Sequence, residues 1–137
     1  MIVHGTTWAF LLAAVNGLHR PEDEYRLALY TSEADLGPET ERYTVKGETA
    51  GIGYFSRGQY LRGRRAVLDR GVAILDFDDV TWTDVSLTAA GALLFNASRG
   101  DAALAVLRFP EERQSIAGPF RVILPPPTKE LALVRFA

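Results

Sequence analysis

Histidine is the scarcest side chain in this chain that could carry out acid–base chemistry. The only two histidines in 137 residues are His4 and His19, and they lie on either side of a segment with helical spacing. A Ser-His-Asp triad needs its histidine within hydrogen-bonding distance of a serine and a carboxylate, and the G-x-S-x-G motif of many such serines does not occur. The absence of cysteine excludes a thiolate nucleophile and a thiolate metal site. We therefore predict that the protein is not an enzyme.

The densest group of acidic residues is a second candidate for chemistry, and it consists of Asp76, Asp78, Asp79 and Asp84. Strand alternation would place Asp76 and Asp78 on one face, and calcium prefers such oxygen ligands. The EF-hand pattern fails, however, because Val80 and Thr81 occupy positions where an acid or amide and then a glycine belong. A carboxylate pair for glycoside hydrolysis would require a separation that the sequence does not define. We expect a solvated strand end here, with no metal and no cofactor.

Charge is unevenly distributed along the chain, although the total is only −2. The stretch 22–48 has eight acidic and three basic residues, a net charge of −5. The stretch 57–70, called the arginine segment below, has five arginines and one aspartate, a net charge of +4. These stretches could neutralise each other within one molecule, contact a partner, or form a nucleic-acid patch. The net negative charge of the whole chain argues against nucleic acid as a partner.

Arginine suits bidentate pairing with carboxylates at partly buried contacts, and aromatic residues are interleaved with this segment. The candidate partner-binding residues are Arg57, Arg62, Arg64, Arg65, Tyr54 and Tyr60. Four arginines within nine residues are too dense for local neutralisation, so we predict that they pair with the acidic stretch of a neighbouring copy.

The elements that would position these residues begin with one short helix at about residues 6–17. Five apolar residues share a stripe at helical spacing: Trp8, Leu11, Leu12, Val15 and Leu18. Thr6 or Thr7 suits the N-terminal cap, and Gly17 suits the end. The stripe either packs on the domain, which we expect, or docks on a partner.

After Pro21 the pattern changes to short runs of apolar, β-branched and aromatic residues bounded by turn residues. The predicted strands are Tyr25–Tyr30, Ile52–Tyr60, Arg64–Leu68, Val72–Phe77, Val85–Phe95, Ala102–Phe109, Phe120–Leu124 and Leu131–Phe136. Their spacing leaves no room for crossover helices, which favours antiparallel pairing. We predict a mainly β fold, an antiparallel β-sandwich or jelly-roll-like single domain over residues 1–137 with one short N-terminal α-helix.

Turns and core follow from the same pattern. The stretch 69–71 predicts a hairpin with a three-residue link and a bulge, because its glycine permits the positive φ that such a link requires, and 96–100 can do the same. Gly51, Gly53 and Gly58 match no phosphate-binding motif and predict turns or bulges. The polar stretch 32–51 predicts a long, mobile surface loop. The predicted core includes Trp82, Val72, Ile74, Leu93 and Phe95.

Several segments in order resemble small structural proteins of tailed bacteriophages. The similarity is carried by LDFDDVTW at 75–82 and TAAGALLFN at 88–96, with further matches at 25–31, 45–60, 102–109 and 120–125. It extends from about Thr6 to the C-terminus and departs in the arginine segment. The resemblance implies a β domain placed on the phage head surface or in the neck and tail, with no catalytic residues to transfer.

The expected function is therefore a virion protein, assembled in the host cytoplasm, that contacts copies of itself and the major capsid, portal or tail proteins. A capsid decoration or cement role is preferred, and a neck or tail adaptor is the alternative. A carbohydrate or host-surface binding module is a further alternative, in which Trp8, Trp82 and tyrosines would stack on sugars. The longest early apolar stretch is about half the length that spans a bilayer, so no membrane partner is expected.

Overall fold

The computed structural model of the protein describes residues 1–136 and shows nine elements, most of them strands. They are β1 (Gly5–Thr6), α1 (Trp8–Val15), β2 (Tyr25–Tyr30), β3 (Gln59–Tyr60), β4 (Arg65–Asp69), β5 (Val72–Asp76), β6 (Val80–Asn96), β7 (Ala102–Val122) and β8 (Val134–Phe136). Ala137, the last residue of the predicted domain, lies outside the described residues.

The strands form two antiparallel sheets. The larger has the order β1-β7-β6-β2-β3, and the smaller has the order β4-β5-β8. The long hairpin of β6 and β7 forms the middle of the larger sheet. The fold is mainly β and sandwich-like with one short helix, which confirms the predicted fold class.

Alternation along β6 and its neighbours divides most of the core between the two faces of the larger sheet, and a small third cluster consists of Val72, Ile74 and Ala132. Leu94 and Ala92 belong to a cluster that includes Phe10 of α1 and Val134 of β8. Leu93 and Phe95 belong to a second cluster on the other face. All five residues predicted for the core are buried: Val72, Ile74, Trp82, Leu93 and Phe95.

The second cluster is covered by the segment predicted as a surface loop at 32–51. Ala34 and Leu36 of this segment are buried against the sheet, and the buried Thr49 hydroxyl donates to the carbonyl of Thr88. The prediction of a surface excursion is therefore wrong for these residues. A few apolar side chains among many polar ones are enough to fix a segment on an apolar sheet face, because each is fully removed from water.

Strand β7 runs without interruption through the polar stretch 110–119, which the sequence pattern placed between two separate strands. Pro110 and Pro119 obscured the strand because proline cannot donate to a ladder. Both prolines fall inside register shifts of the β6–β7 pairing, between the pairs at Arg108 and Arg113 and between those at Gly118 and Phe120. Irregular pairing at these points tolerates a missing donor.

The predicted strand at 52–60 is wrong except for its last two residues, which form β3. Ile52 makes an isolated bridge to Ser86, and Gly53, Arg57 and Gly58 have positive φ. The glycines thus serve turns, as expected. A Cβ at Gly58 would lie 1.8 Å from the carbonyl oxygen of Leu27, so β3 reaches β2 only because this position has no side chain.

The hairpin predicted around residues 69–71 is present, but the predicted three-residue link with a bulge is wrong, because β4 and β5 pair without a register shift. Asp69 is directly opposite Val72, so the turn itself consists of Arg70 and Gly71, with φ of 46° and 85°. Two consecutive positive φ values are typical of the turn that matches the right-handed twist of a two-residue hairpin. The predicted strand 25–30 is present with its predicted bounds, and the predicted strands 64–68, 72–77 and 131–136 are present with shifted or shorter bounds.

Candidate interaction surfaces

Helix α1 turns most of the predicted packing stripe away from the protein. Trp8, Leu12 and Val15 are 63%, 69% and 74% exposed, and Leu18 beyond the helix is also exposed. These four side chains are called the apolar helix surface below. The packed side of the helix is formed by Phe10, Leu11 and Ala14. Packing of the whole stripe on the domain is therefore wrong.

The orientation of α1 is fixed at its N-terminus. Thr7 is fully buried, its hydroxyl donates to the carbonyl of Ala103 at 3.0 Å, and the same oxygen accepts the amide of Phe10 at 3.1 Å. The amide of Trp8 donates to the carbonyl of Pro38 at 2.8 Å. The capping residue thus ties the helix to β7, and Phe10 follows into the core.

A cleft of about 510 Å³ lies beside the apolar helix surface. Trp8, Leu12 and Leu18 line one side of it, and the exposed polar residues Glu39, Glu41 and Arg42 line the other. Apolar side chains beside charged ones are also found in protein–protein contacts, where a polar rim adjoins an apolar core.

The arginine segment is largely neutralised within the molecule. Arg57 pairs end-on with Asp101 through both of its Nη atoms, with Nη2 to Oδ1 at 2.8 Å, and its guanidinium carbon lies 5.3 Å from the ring centres of Tyr43 and Phe95. Hydrogen bonding to Asp101 is the main cause that raises the pKa of Arg57 above its ordinary value. Arg57 is thus held by the molecule's own carboxylate and aromatic rings.

Arg65 and Arg64 also have partners within the chain. Arg65 donates to Asp76 at 2.7 Å and to Asp78 at 2.8 Å. Arg64 donates to the carbonyl of His19 at 3.2 Å. The acidic stretch 22–48 supplies none of these carboxylates, so the premise that the arginines are too dense to be neutralised locally is wrong for Arg57 and Arg65.

Of the remaining predicted partner-binding residues, Arg62 is exposed, Tyr60 is 47% exposed and Tyr54 is buried. The hydroxyl of Tyr54 donates to Glu48 at 2.5 Å and accepts the amide of Leu29 at 2.9 Å. Burial, together with the bond to Glu48, raises the pKa of Tyr54 well above its usual range. Tyr54 is an internal support, and its inclusion in a partner surface is wrong because its ring is inside the protein.

Both histidines make contacts within the fold, although His4 is exposed and only His19 is half-buried. His4 Nδ1 accepts the amide of Arg108 at 3.0 Å. The ring of His19 stacks on Phe10 at 5.4 Å, and its Nδ1 lies 3.0 Å from the amide nitrogen of Asn96. Because that nitrogen donates, Nδ1 accepts and the ring proton is on Nε2, which is buried without a polar partner among residues 1–136. Burial is the main cause that lowers the pKa of both rings.

Asp23, a residue that the sequence pattern did not single out, binds the same Asn96 side chain that contacts His19. Its carboxylate accepts hydrogen bonds from Arg99, from the Asn96 amide and from the backbone amide of Arg20. Burial acts to raise the pKa of Asp23, but these hydrogen bonds outweigh it and hold the pKa well below the usual range. These hydrogen bonds join the end of β6 to the chain before β2.

The acidic group at 76–84 is divided among separate contacts. Asp76 and Asp78 bind Arg65, whereas Asp79 accepts from Arg121 at 3.1 Å and from the amide of Leu124 at 2.9 Å. Within the part of the chain that the structure describes, no three acidic or histidine side chains come together as metal ligands. Trp82 is buried, so it offers no stacking platform for a sugar.

Comparison of the chain with protein-family models, with curated proteins and with solved structures finds no match. Among residues 1–136, no helix has the length and apolar character needed to cross a membrane.

Proposed function

We propose that the protein is a non-enzymatic structural component of a bacteriophage virion that attaches to the capsid surface as a decoration or cement protein. The order of segments that resembles small phage structural proteins supports this assignment, as does the mainly β body. The proposal places the protein in the virion, after assembly in the host cytoplasm, with the major capsid protein as its main partner.

The observation that carries the proposal is the apolar helix surface. Helix α1 contains no charged residue, and Trp8, Leu12 and Val15 stand exposed on successive turns. Single exposed apolar residues are common, but a contiguous group on one rigid element is typical of a protein–protein contact. Tryptophan is enriched among the residues that dominate such contacts.

A contact as small as the apolar helix surface can hold the protein on a capsid if the capsid offers many identical sites. One helix face buries little area, so a single copy binds weakly. On a shell with many identical sites, contacts between neighbouring copies add to each attachment, and the overall affinity greatly exceeds that of one contact. A neck or tail adaptor is the alternative, in which the same surface would contact portal or tail proteins within a ring of fixed copy number.

The test uses particles of the phage whose genome encodes the chain. A double variant, Trp8→Glu with Leu12→Glu, places two charges on the apolar helix surface, and Ile116→Glu is the control because Ile116 is 76% exposed on β7. We expect the wild-type and control proteins in purified particles by quantitative mass spectrometry, and at least a tenfold loss of the double variant. Circular dichroism checks that all three proteins are folded.

Wild-type protein absent from purified particles would overturn the virion assignment. Equal incorporation of the double variant would overturn the assignment of the apolar helix surface. Cryo-electron microscopy of labelled particles distinguishes the two positions, because decoration predicts sites throughout the capsid lattice and an adaptor predicts density at one vertex only.

A further inference from the structure

Strand β4 is an open edge of the smaller sheet. It pairs with β5 on one side, and no described strand lies on its other side. The edges of the larger sheet, β1 and β3, are only two residues long, whereas β4 has five. Natural sheets usually protect an edge of this kind with charged side chains, a proline, a bulge or a covering segment. In β4 the charged residues are confined to the two ends, Arg65 and Asp69. β4 contains no proline, and its pairing with β5 runs through five pairs without a register shift.

The turn between β4 and β5 determines which backbone groups of β4 are free. A two-residue turn closes on a hydrogen-bonded pair, here Asp69 and Val72, and hydrogen-bonded pairs then alternate along an antiparallel ladder. Val67 and Arg65 therefore bond to β5, while the N–H and C=O groups of Ala66 and Leu68 point to the open side. Among residues 1–136, no backbone group outside the sheet ladders bonds to these four groups.

The sequence of this edge is self-complementary. Read about Val67 as its centre, Arg65-Ala66-Val67-Leu68-Asp69 has a cation at one end, an anion at the other and apolar residues between. An antiparallel copy in the same register places Arg65 opposite Asp69 and Ala66 opposite Leu68. In this register the small Ala66 packs opposite the larger Leu68, and an Arg65–Asp69 charge pair forms at each end.

We infer that β4 pairs with β4 of a second copy of this chain, antiparallel and centred on Val67, to form a two-fold dimer with a continuous six-stranded sheet. The two Ala66–Leu68 pairs are then the hydrogen-bonded pairs and supply four backbone hydrogen bonds. The two Val67 residues form the non-hydrogen-bonded pair on the axis. Leu68, now 75% exposed, packs against the Ala66 of the other copy.

Charge favours a second copy over an unrelated strand. An anion opposite Arg65 and a cation opposite Asp69 complement this edge best, and β4 itself presents both in that order. Within one copy Asp69 also accepts the amide of Lys129 at 2.7 Å and lies 3.4 Å from the guanidinium of Arg70, and both contacts are kept in the pair. Arg65 keeps its bonds to Asp76 and Asp78 in this arrangement, so Asp69 of the second copy adds a further carboxylate nearby. A slip by one residue would remove both charge pairs and turn the apolar side chains to opposite faces.

The inference stands on the open edge alone and does not require the virion role. A five-residue strand pair is smaller than a standard interface, so the dimer is weak in dilute solution and is favoured where copies are concentrated. Dimerisation in solution with no protein in virions would overturn only the proposed function. The reverse result would overturn only the dimer.

Disulfide trapping tests the register, because the chain contains no cysteine of its own. Residues of a non-hydrogen-bonded antiparallel pair have Cα atoms about 4.5 Å apart, within the range that a disulfide spans. Val67→Cys is therefore expected to form a covalent dimer under mild oxidation, seen on a non-reducing gel. Ala66→Cys is the matched control, because two copies of residue 66 lie diagonally across the pair and beyond that range.

The double variant Ala66→Cys with Leu68→Cys should cross-link again, because these positions face each other between copies. Equal cross-linking of Val67→Cys and Ala66→Cys would indicate random collision and overturn the proposed register. No cross-linking of Val67→Cys in a folded protein would overturn it as well.

Sedimentation equilibrium tests the same contact without cysteine. Leu68→Pro removes one outward N–H and none of the bonds to β5, so the variant keeps its hairpin and is expected to lose at least tenfold in dimerisation constant. Leu68→Thr retains the N–H and should dimerise within a few-fold of wild type. A wild-type chain that stays monomeric at about millimolar concentration, or a folded Leu68→Pro variant that dimerises like wild type, would overturn the inference.

Discussion

Gly58→Ala measures how far the fold depends on the close approach of residue 58 to β2. Gly58 and Gly100 have almost the same backbone conformation, with φ of 64° and 63°. A Cβ at Gly100 would have no atom within 4 Å, whereas a Cβ at Gly58 would lie 1.8 Å from the Leu27 carbonyl oxygen. The pair of variants therefore separates backbone strain from steric conflict at constant φ.

The expected magnitudes follow from this difference. Positive φ costs an alanine about 1 to 2 kcal/mol, partly offset by reduced freedom of the unfolded chain, so Gly100→Ala should lower the free energy of unfolding by about 1 kcal/mol. In Gly58→Ala the chain must also move away from Leu27. That movement breaks the pairing of Leu27 with Gln59 and the bonds from Arg26 to the carbonyls of Arg57 and Gly58. Two or more lost hydrogen bonds bring the total to about 3 to 5 kcal/mol.

Urea unfolding followed by tryptophan fluorescence gives both values. Trp82 is buried with its ring 6.0 Å from that of Tyr54, four residues before Gly58, so its emission reports on this region. The slope of the transition should be the same for both variants. Free energies of unfolding that agree within about 0.5 kcal/mol would refute the reasoning, because the close approach to Leu27 would then contribute nothing.

Three further changes test other parts of the fold. Leu93→Ala leaves a cavity at a fully buried position in the second core cluster, so it should lower the free energy of unfolding in urea by about 2 to 5 kcal/mol. A negligible change would show that Leu93 is not packed as described. Arg57→Ala removes the bidentate pair with Asp101 and should lower the free energy of unfolding by about 1 to 3 kcal/mol. Arg57→Lys should recover only part of this loss, because lysine cannot form both bonds in the same plane. Full recovery by lysine would contradict a role for the bidentate geometry. Because the pKa of Asp23 is lower in the folded protein, its contribution to stability is present above the ordinary carboxyl pKa and is lost as pH falls below it. Thermal unfolding of Asp23→Asn should therefore depend less on pH between about 5 and 2 than that of wild type, and parallel pH profiles would contradict this.

The sequence predicted elements that depend on local pattern. Strand β2 keeps its predicted bounds, and the turn at Arg70 and Gly71 occurs where a glycine permits it. These features depend on residues close together in the chain, and their burial and conformational preferences agree.

The face that α1 buries could not be predicted, because its eight residues are all apolar and no polar residue marks the outer side. The orientation is determined instead by Thr7, whose contacts to Ala103 join residues 96 positions apart. The pairing of the arginine segment also depends on residues that are distant in the sequence, so the sequence pattern did not predict it. Asp76, Asp78 and Asp101 reach the arginines through hairpin pairing and turns that charge counting does not represent.

The long hairpin of β6 and β7 has a consequence for how the protein folds. Its two strands are adjacent in sequence and are joined by the short stretch 97–101, so pairing them closes only a small loop. The same strands contribute to the two larger core clusters, with Leu94 on one side and Leu93 on the other. Each cluster packs on strands that the other also covers, so opening one exposes part of the other. We therefore expect the backbone amides of residues 91–95 and 103–107 to be among the slowest to exchange with solvent, and these two clusters to melt together.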